Sequence, residues 1–265
     1  MKVMSLINVP YFKQVIKSNI IFLAIFTIIL CAFLTVISTV FTPTSMEGIE
    51  TAVNGTFASN IITGTTFVEF LSNSFYALMA ILFPMLYSII VGNNLIAAKV
   101  DDGSMANFLS TPVSRREIVI SSALYLILSL LLMWIIASIV GIAVADITQP
   151  DSLDVDTFLL LNVGVFLFHF AISSICFVAS CIFNNSKYSL IIGGGIPLFF
   201  FIVNLLIKVS EDLEVLKYIT LTTLFNTSNI LAGTDYKVDF LILAVIGIVL
   251  YIIGIEVFAR KSLPL

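Results

Sequence analysis

Six long apolar stretches constrain this chain more than any other feature of its sequence. Each is close to the roughly 20 residues that a helix needs to cross the hydrocarbon core of a bilayer. None carries an Asp, Lys or Arg in its middle, and their approximate bounds are 20–41, 70–91, 118–145, 158–182, 189–207 and 240–258. Because a segment in lipid must satisfy its own backbone hydrogen bonds, the stretches predict an all-α integral membrane protein with six transmembrane helices in one domain, 1–265.

The composition excludes a soluble globular protein. Apolar residues make up 60% of the 265 residues and charged residues 11%, against roughly 45–50% and 25% in an average globular domain. The basic residues are scattered, so no nucleic-acid-binding face is expected. Cys31, Cys176 and Cys181 lie in apolar stretches without the spacing of a disulfide framework or a metal site, and we interpret them as small hydrophobic side chains.

The basic residues also predict the orientation of the chain, because Lys and Arg are enriched in cytoplasmic loops. We expect both termini in the cytoplasm and the first stretch to remain as a span, since no convincing small-residue cleavage site follows it. This orientation places nine basic residues inside and three outside: Lys2, Lys13, Lys17, Lys99, Arg115, Arg116, Lys187, Arg260 and Lys261 against Lys208, Lys217 and Lys237.

Catalytic motifs are missing from the sequence. There is no Gly-x-x-x-x-Gly-Lys-Ser/Thr loop, so the chain is not expected to bind and hydrolyse ATP by that route, and there is no His-Glu-x-x-His or Gly-x-Ser-x-Gly. No loop is long enough to form a soluble domain. We therefore expect no enzymatic activity, no metal and no cofactor on this chain.

Residues 6–17 form an amphipathic pattern ahead of the first stretch. Apolar side chains recur every three or four residues against a polar side. Such a helix lies at the cytoplasmic interface with its lysines towards anionic headgroups. Two interpretations stay open: a plain anchor for the first span, or an elbow that transmits motion to it. The residues expected to define this elbow helix are Tyr11, Phe12, Lys13 and Lys17.

The second loop, 93–117, is polar and internally ordered. Asp101, Asp102 and Gly103 break the chain, and 104–110 then carries Met105, Phe108 and Leu109 on one side. Helix is disfavoured before Pro112, and Ser114 with Glu117 forms a capping box that starts the third span, with Arg115 and Arg116 at headgroup level. The pattern predicts a short cytoplasmic helix whose apolar side needs a partner to cover it; the alternative is an amphipathic connector that rests on lipid.

The same loop resembles a segment of type-2 ABC transporter permeases. That family shows an acidic residue, then Gly-Thr/Ser, an apolar pair, Pro-Val-Ser-Arg and an apolar residue. Asn107 stands where that family often has Glu, which puts a salt bridge at this position in doubt. The six-span layout, the amino-terminal elbow and the long fifth loop extend the resemblance across the chain. The matching positions are Asp102, Gly103, Ser104, Phe108, Leu109, Pro112, Val113, Ser114, Arg115 and Ile118.

The resemblance implies a partner that supplies the energy. In that family this loop is a coupling helix that docks into a groove on a separate ATPase subunit. Two such subunits, holding ATP and Mg, and a second permease chain, identical or related, would complete the complex in a bacterial cytoplasmic membrane. The residues implied in ATPase coupling are Asp101, Asp102, Gly103, Ser104, Met105, Asn107, Phe108, Leu109, Pro112, Ser114, Arg115 and Arg116.

The fifth loop, 208–239, is apolar although the orientation places it outside the cell. Gly233 is a helix stop in this pattern. Two short re-entrant helices before the last span fit it and resemble the same family, and Leu224 and Phe225 would then form an outer gate. The alternative is a surface loop with a small helix.

Three further residues are candidates for the pathway. His169 is an ionisable residue within the fourth span, and such residues are functional hypotheses by default, although a neutral histidine bonded to a carbonyl explains it equally. Gly194 and Pro197 lie in a Gly-Gly-Gly-Ile-Pro run of the fifth span that predicts either a hinge or a close helix crossing.

These observations favour the membrane subunit of an ATP-driven exporter. Long apolar spans without a charged pocket favour a hydrophobic or amphipathic substrate, with peptides, bacteriocins and other antimicrobials, including self-immunity, as the first expectation. One alternative is a secondary transporter or channel that needs no ATPase, although no internal repeat or midplane acid supports it. The other is a non-transporting membrane anchor or sensor subunit.

Overall fold

The computed structural model describes residues 8–40, 66–209 and 216–262, and these residues are helical nearly throughout. They contain six helices long and apolar enough to cross a membrane, so the predicted all-α, six-span fold is confirmed. The spans are Val9–Val40, Phe67–Asp101, Arg115–Thr148, Val155–Ile182, Ser186–Val209 and Tyr236–Arg260. Shorter elements are a loop helix, Ser104–Leu109, a 3₁₀ turn, Leu221–Leu224, and a helix, Thr227–Ala232.

The first helix differs from the sequence-based picture. The amphipathic segment and the first span form one helix, Val9–Val40, rather than an elbow followed by a separate span. After Pro10 the sequence has no Gly or Pro before Pro43, so nothing interrupts the hydrogen-bond ladder. The amphipathic pattern itself is present, because Tyr11 and Val15 are buried while Lys13 and Lys17 are exposed.

The second and fourth spans form the centre of the bundle. The first and fifth spans each pack against the second, the fourth span packs against the third, fifth and sixth, and the first span packs against the third. Asn8, the loop around Pro112 and Ser262 lie at one end of the bundle, called here the terminal end. The 3₁₀ turn and the helix Thr227–Ala232 lie at the opposite end.

Glycines allow the central helices to cross closely. A Cβ at Gly193 would lie 2.9 Å from the Cβ of Ala179, and one at Gly194 would lie 2.9 Å from Cγ2 of Ile89. A Cβ at Gly92 would lie 3.1 Å from the Cβ of Cys176. The glycine run of the fifth span is therefore a close crossing against the second and fourth spans, as in other membrane bundles with small residues at their contacts.

Candidate functional site

The loop helix Ser104–Leu109 forms as its residues predict. Gly103 precedes it in the left-handed region, with φ of +75°, and the Ser104 N–H donates to Oδ1 of Asp102 at 2.8 Å. Hydrogen bonds from Ser104 hold the pKa of Asp102 below its ordinary value. After Pro112, the Ser114–Glu117 capping box starts the third span, which confirms that prediction. The helix is thus set between two fixed ends.

The apolar side of the loop helix faces its own chain. Met105 is fully buried, so the expectation that it needs a partner to cover it is wrong. The ring of Phe108 meets that of Tyr11 edge to face, with centroids 5.2 Å apart. Nζ of Lys99 lies 5.3 Å and 5.4 Å from the Tyr11 and Phe108 centroids and donates to the Tyr11 hydroxyl at 3.4 Å. The first helix, 97 residues earlier in the sequence, thus covers Phe108 through Tyr11, while Leu109 is half-buried.

Asp101 ties the same loop to the fifth span. Its carboxylate accepts hydrogen bonds from Nδ2 of Asn185 and from the Ser186 N–H, both at 3.1 Å. Ser186 is the first residue of the fifth span, so Asp101 occupies a helix N-terminus, where an acid is favourable. The loop helix is therefore attached to the first helix through Phe108, and the end of the second span just before it is attached to the fifth through Asp101.

The exposed face of the loop is polar. The exposed residues among those implied in coupling are Asp101, Asp102, Gly103, Asn107, Pro112, Ser114 and Arg116, and Ser110 and Thr111 are exposed among them. Ser104 is half-buried. A partner approaching this loop would meet these side chains first.

Arg115 and Arg116 connect the third span to the sixth. A guanidinium nitrogen of Arg115 donates to the Lys261 carbonyl, and Arg116 forms an ion pair with Glu256. Glu256 also pairs with Arg260 at 3.0 Å, which is the i, i+4 pair favoured on a helix. Nζ of Lys261 in turn donates to the Cys181 carbonyl at 3.3 Å, and desolvation lowers the pKa of Lys261. These contacts hold the terminal end of the bundle together.

The residues expected to form the elbow are the first turns of the first helix. The Tyr11 hydroxyl lies 3.3 Å from Oγ of Ser122 on the third span, and Phe12 is half-buried against the core. Lys13 and Lys17 are exposed. The start of the first helix is thus packed on both the third span and the loop helix.

A cavity of about 600 Å³ lies at the opposite end of the bundle. It lies between the start of the second span, the end of the fifth and the chain before the sixth. Hydroxyl and amide groups supply much of its wall, with one ammonium group and no carboxylate among the described residues that line it. The lining is Ser72, Asn73, Tyr76, Ala77, Ile81, Asn204, Ile207, Lys217, Thr222, Thr223, Phe225, Asn226, Thr227 and Ser228.

Phe225 is inserted into the bundle beside this cavity. It is 5% exposed, and its ring centroid lies 6.3 Å from that of Tyr76 and 6.2 Å from that of Phe168. Leu224 is packed against the core but does not belong to the cavity wall. Gly233, with φ of +70°, ends the next helix as predicted. Part of the expected re-entrant segment, 210–215, lies outside the described residues.

His169 lies inside the bundle and is not among the residues that line the cavity. It is fully buried, and its Nε2 lies 2.8 Å from the Ala80 carbonyl oxygen. A carbonyl only accepts hydrogen bonds, so Nε2 carries the proton. The ring stacks on Trp134, with centroids 5.9 Å apart. Gly194 and Pro197 are both buried within the fifth span.

Two polar contacts of the fourth span were not expected from the sequence. Sγ of Cys176 donates to the Gly193 carbonyl at 3.1 Å, so Cys176 is more than the small hydrophobe it was taken for. The Ser180 hydroxyl accepts from the Ala97 N–H at 2.9 Å and donates to the Asn93 carbonyl at 3.4 Å. For Cys176 a signal was present in the sequence, because Pro197 leaves the Gly193 carbonyl without its helical donor; for Ser180 there was none.

Comparison with known families gives a match over most of the chain. The model of the family described as ABC-2 family transporter protein covers residues 11–263. The chain therefore belongs to this family, and it is the membrane permease of an ABC transporter, a transmembrane component rather than an ATPase. No curated protein matches the chain significantly.

Proposed function

We propose that this permease is the export subunit of an ATP-driven transporter, driven through the loop helix Ser104–Leu109. Two ATPase subunits, holding ATP and Mg, drive it from the cytoplasm, and a second permease chain, identical or related, completes the pathway. Both termini are then cytoplasmic, in a bacterial cell membrane. ATP acts by its differential affinity for the conformations of the assembled complex.

The attachment of the second loop to two spans is the observation that carries this proposal. Phe108 packs on Tyr11 at the start of the first helix, and Asp101 caps the fifth span at Ser186. A displacement of the loop helix therefore acts on two spans that both contact the second. A connector that merely rested on lipid would not need such attachments.

The docking face proposed here is the exposed side of the loop, centred on Asn107. Met105 and Phe108 act from the inner side, since they join the loop helix to its own chain. The resemblance to other permeases thus concerns where the ATPase binds, whereas the packing determines which side chains touch it.

A charge placed on the docking face tests this assignment. We expect Asn107→Arg to abolish both co-purification of the ATPase and transport, because an arginine there must be desolvated without a partner. Ser262→Arg is the matched control, since Ser262 is exposed at the same end and receives the same charge. Full ATPase binding by Asn107→Arg, in a stably inserted chain, would show that the partner docks elsewhere.

The cavity at the opposite end supports an outer section of the pathway, with Phe225 as its gate. Its hydroxyl and amide groups suit hydrogen-bonding groups without a full charge, and the apolar spans suit hydrophobic ones. An amphipathic peptide carries both, so peptides, bacteriocins and related antimicrobials, including those behind self-immunity, are the proposed substrates.

The substrate class is tested on the permease reconstituted with its ATPase. We expect amphipathic peptides to stimulate ATP hydrolysis, and a larger side chain at the gate's neighbour, Ala77→Phe, to reduce that stimulation by narrowing the cavity that Ala77 lines. Gly195→Ala serves as the control, because a Cβ there meets no atom within 4 Å. A flat response to peptides together with clear stimulation by a lipid would reject the peptide assignment.

A further inference from the structure

Prolines interrupt the hydrogen-bond ladders of the second and fifth spans. A proline has no N–H and leaves the carbonyl four residues earlier without its helical donor. For Pro84 that carbonyl belongs to Ala80, and for Pro197 it belongs to Gly193. Both residues are buried among helices, where water cannot replace the missing donor.

The fourth span supplies the donor at both positions. Nε2 of His169 lies 2.8 Å from the Ala80 carbonyl oxygen, and Sγ of Cys176 lies 3.1 Å from that of Gly193. These are the two carbonyls that the prolines leave without a helical partner. An imidazole and a thiol thus each replace a missing backbone donor, the first in the second span and the second in the fifth.

A third contact repairs a break that no proline causes. The second span is interrupted at Ile96, where φ is −130° and ψ is −67°. In a continuous helix the Ala97 N–H would donate to the Asn93 carbonyl. Here the Ser180 hydroxyl stands between them, accepting from Ala97 at 2.9 Å and donating to Asn93 at 3.4 Å.

The three side chains share one face of the fourth span. His169, Cys176 and Ser180 are separated by seven and four residues, which return to the same side of an α-helix. Asn162, a further seven residues before His169, accepts from the Tyr76 hydroxyl of the second span at 3.0 Å. The face is a line of polar groups directed at the spans beside it.

We propose that His169, Cys176 and Ser180 are positioning residues, which hold the interrupted second and fifth spans in this arrangement and release them when those spans bend during transport. Each bond joins a rotatable side chain to a main-chain group at a break, so one bond can open without disturbing the rest of the ladder. The S–H of Cys176 is the weakest donor of the three and is the first to release. The fourth span is then the fixed element. The transport part of this inference rests on the function proposed above.

The test pairs the donor with the proline that makes it necessary. Cys176→Ala removes the donor, Cys176→Ser keeps one in similar space, and Pro197→Ala returns an N–H to the Gly193 carbonyl. We expect Cys176→Ala to lower substrate moved per ATP hydrolysed about threefold, the factor for a typical hydrogen bond within a membrane bundle. Cys176→Ser should stay near the parent, and Pro197→Ala should largely rescue Cys176→Ala.

A second measurement is independent of transport. Spin labels attached through p-acetylphenylalanine at Val163 and Ile202, both exposed between the break and the cavity end of the bundle, report the distance between the fourth and fifth spans. The full chain in lipid nanodiscs should show a second distance population with Cys176→Ala, and Pro197→Ala should remove it. For the second span, His169→Phe removes the donor to the Ala80 carbonyl and Pro84→Ala restores a backbone N–H to it, so the same loss and rescue are expected.

The outcomes separate this inference from the proposed function. If the complex moves no substrate but the distances follow this pattern, the proposed function fails and the positioning by the fourth span stands. If Cys176→Ala lowers the substrate moved per ATP by the same factor in the native chain and in the Pro197→Ala chain, the Cys176 side chain acts by packing alone and the inference is overturned. Rescued distances with an unchanged amount of substrate per ATP would overturn the role in transport.

Discussion

At the scale of single residues, small side chains determine how closely the central helices approach. Gly193 and Gly195 belong to the same glycine run, yet a Cβ at Gly193 would lie 3.2 Å from Cα of Cys176, whereas one at Gly195 meets nothing within 4 Å. The backbone of the fourth span cannot move aside as a flexible side chain would. Substitution by alanine is therefore predicted to have opposite effects at these two glycines.

We expect Gly193→Ala to destabilise the bundle by about 1–3 kcal/mol, the usual cost of overpacking. Gly195→Ala should be neutral or stabilising by up to about 1 kcal/mol, because alanine is the better helix former. Unfolding of both variants in mixed micelles measures the difference. Equal effects at the two positions would contradict the close crossing.

How far the sequence predicts the structure also depends on individual residues. Spans, caps and the Gly233 stop depend on patterns within a few residues, and they were predictable because periodicity and capping are local. The burial of Met105 was not, because Tyr11 and Phe108 meet across distant parts of the chain. The role of Cys176 was not predicted, because its partner is a main-chain carbonyl, that of Gly193. Pro197, four residues after Gly193, was the one sign that this carbonyl lacks its helical donor.

At the scale of elements, the carboxylate of Asp101 joins the second loop to the fifth span. Asp101 is exposed as a residue, but both its oxygens accept hydrogen bonds, from Asn185 and from Ser186. Along the chain the third and fourth spans separate the loop helix from the fifth span, so this contact bridges two distant segments. This carboxylate is placed to transmit force between the two.

We expect Asp101→Ala to reduce transport while ATPase binding is retained, because Asp101 is turned from the docking face towards the fifth span. The loss of the cap should cost about 1 kcal/mol of helix stability. Ser262→Ala, exposed at the same end of the bundle but outside the docking face, is the control. The measurement is ATPase co-purification beside substrate transported, and loss of binding in Asp101→Ala would place Asp101 in the docking face instead.

At the scale of the whole molecule, the even number of spans puts both ends of the chain on one side of the bundle. The terminal end carries the loop helix and basic groups held by Glu256 and the Lys261 carbonyl, while the cavity lies at the other end. Positive side chains remain on the cytoplasmic side of a membrane during insertion. The terminal end is accordingly the one proposed to face the cytoplasm.

Cysteine labelling tests this orientation. We expect Ser110→Cys to react with a membrane-impermeant maleimide only after the cells are opened, and Thr234→Cys to react in intact cells. Both positions are exposed, at opposite ends of the bundle. The native chain, whose Cys176 and Cys181 are buried and whose Cys31 is half-buried, gives the background. The reverse pattern of labelling would reject the proposed orientation and, with it, the cytoplasmic docking of the ATPase.

The unbroken first helix has a mechanical consequence. Its 32 residues make a rod about 48 Å long at 1.5 Å per residue, and its first turns touch the loop helix through Tyr11. Tilting such a rigid helix at one end displaces its other end as well, in the opposite direction. The second span, jointed at Pro84 and Ile96, would flex under the same push. One displacement of the loop helix would thus produce two different motions across the bilayer: a rigid-body tilt of the first helix and a bend of the second span.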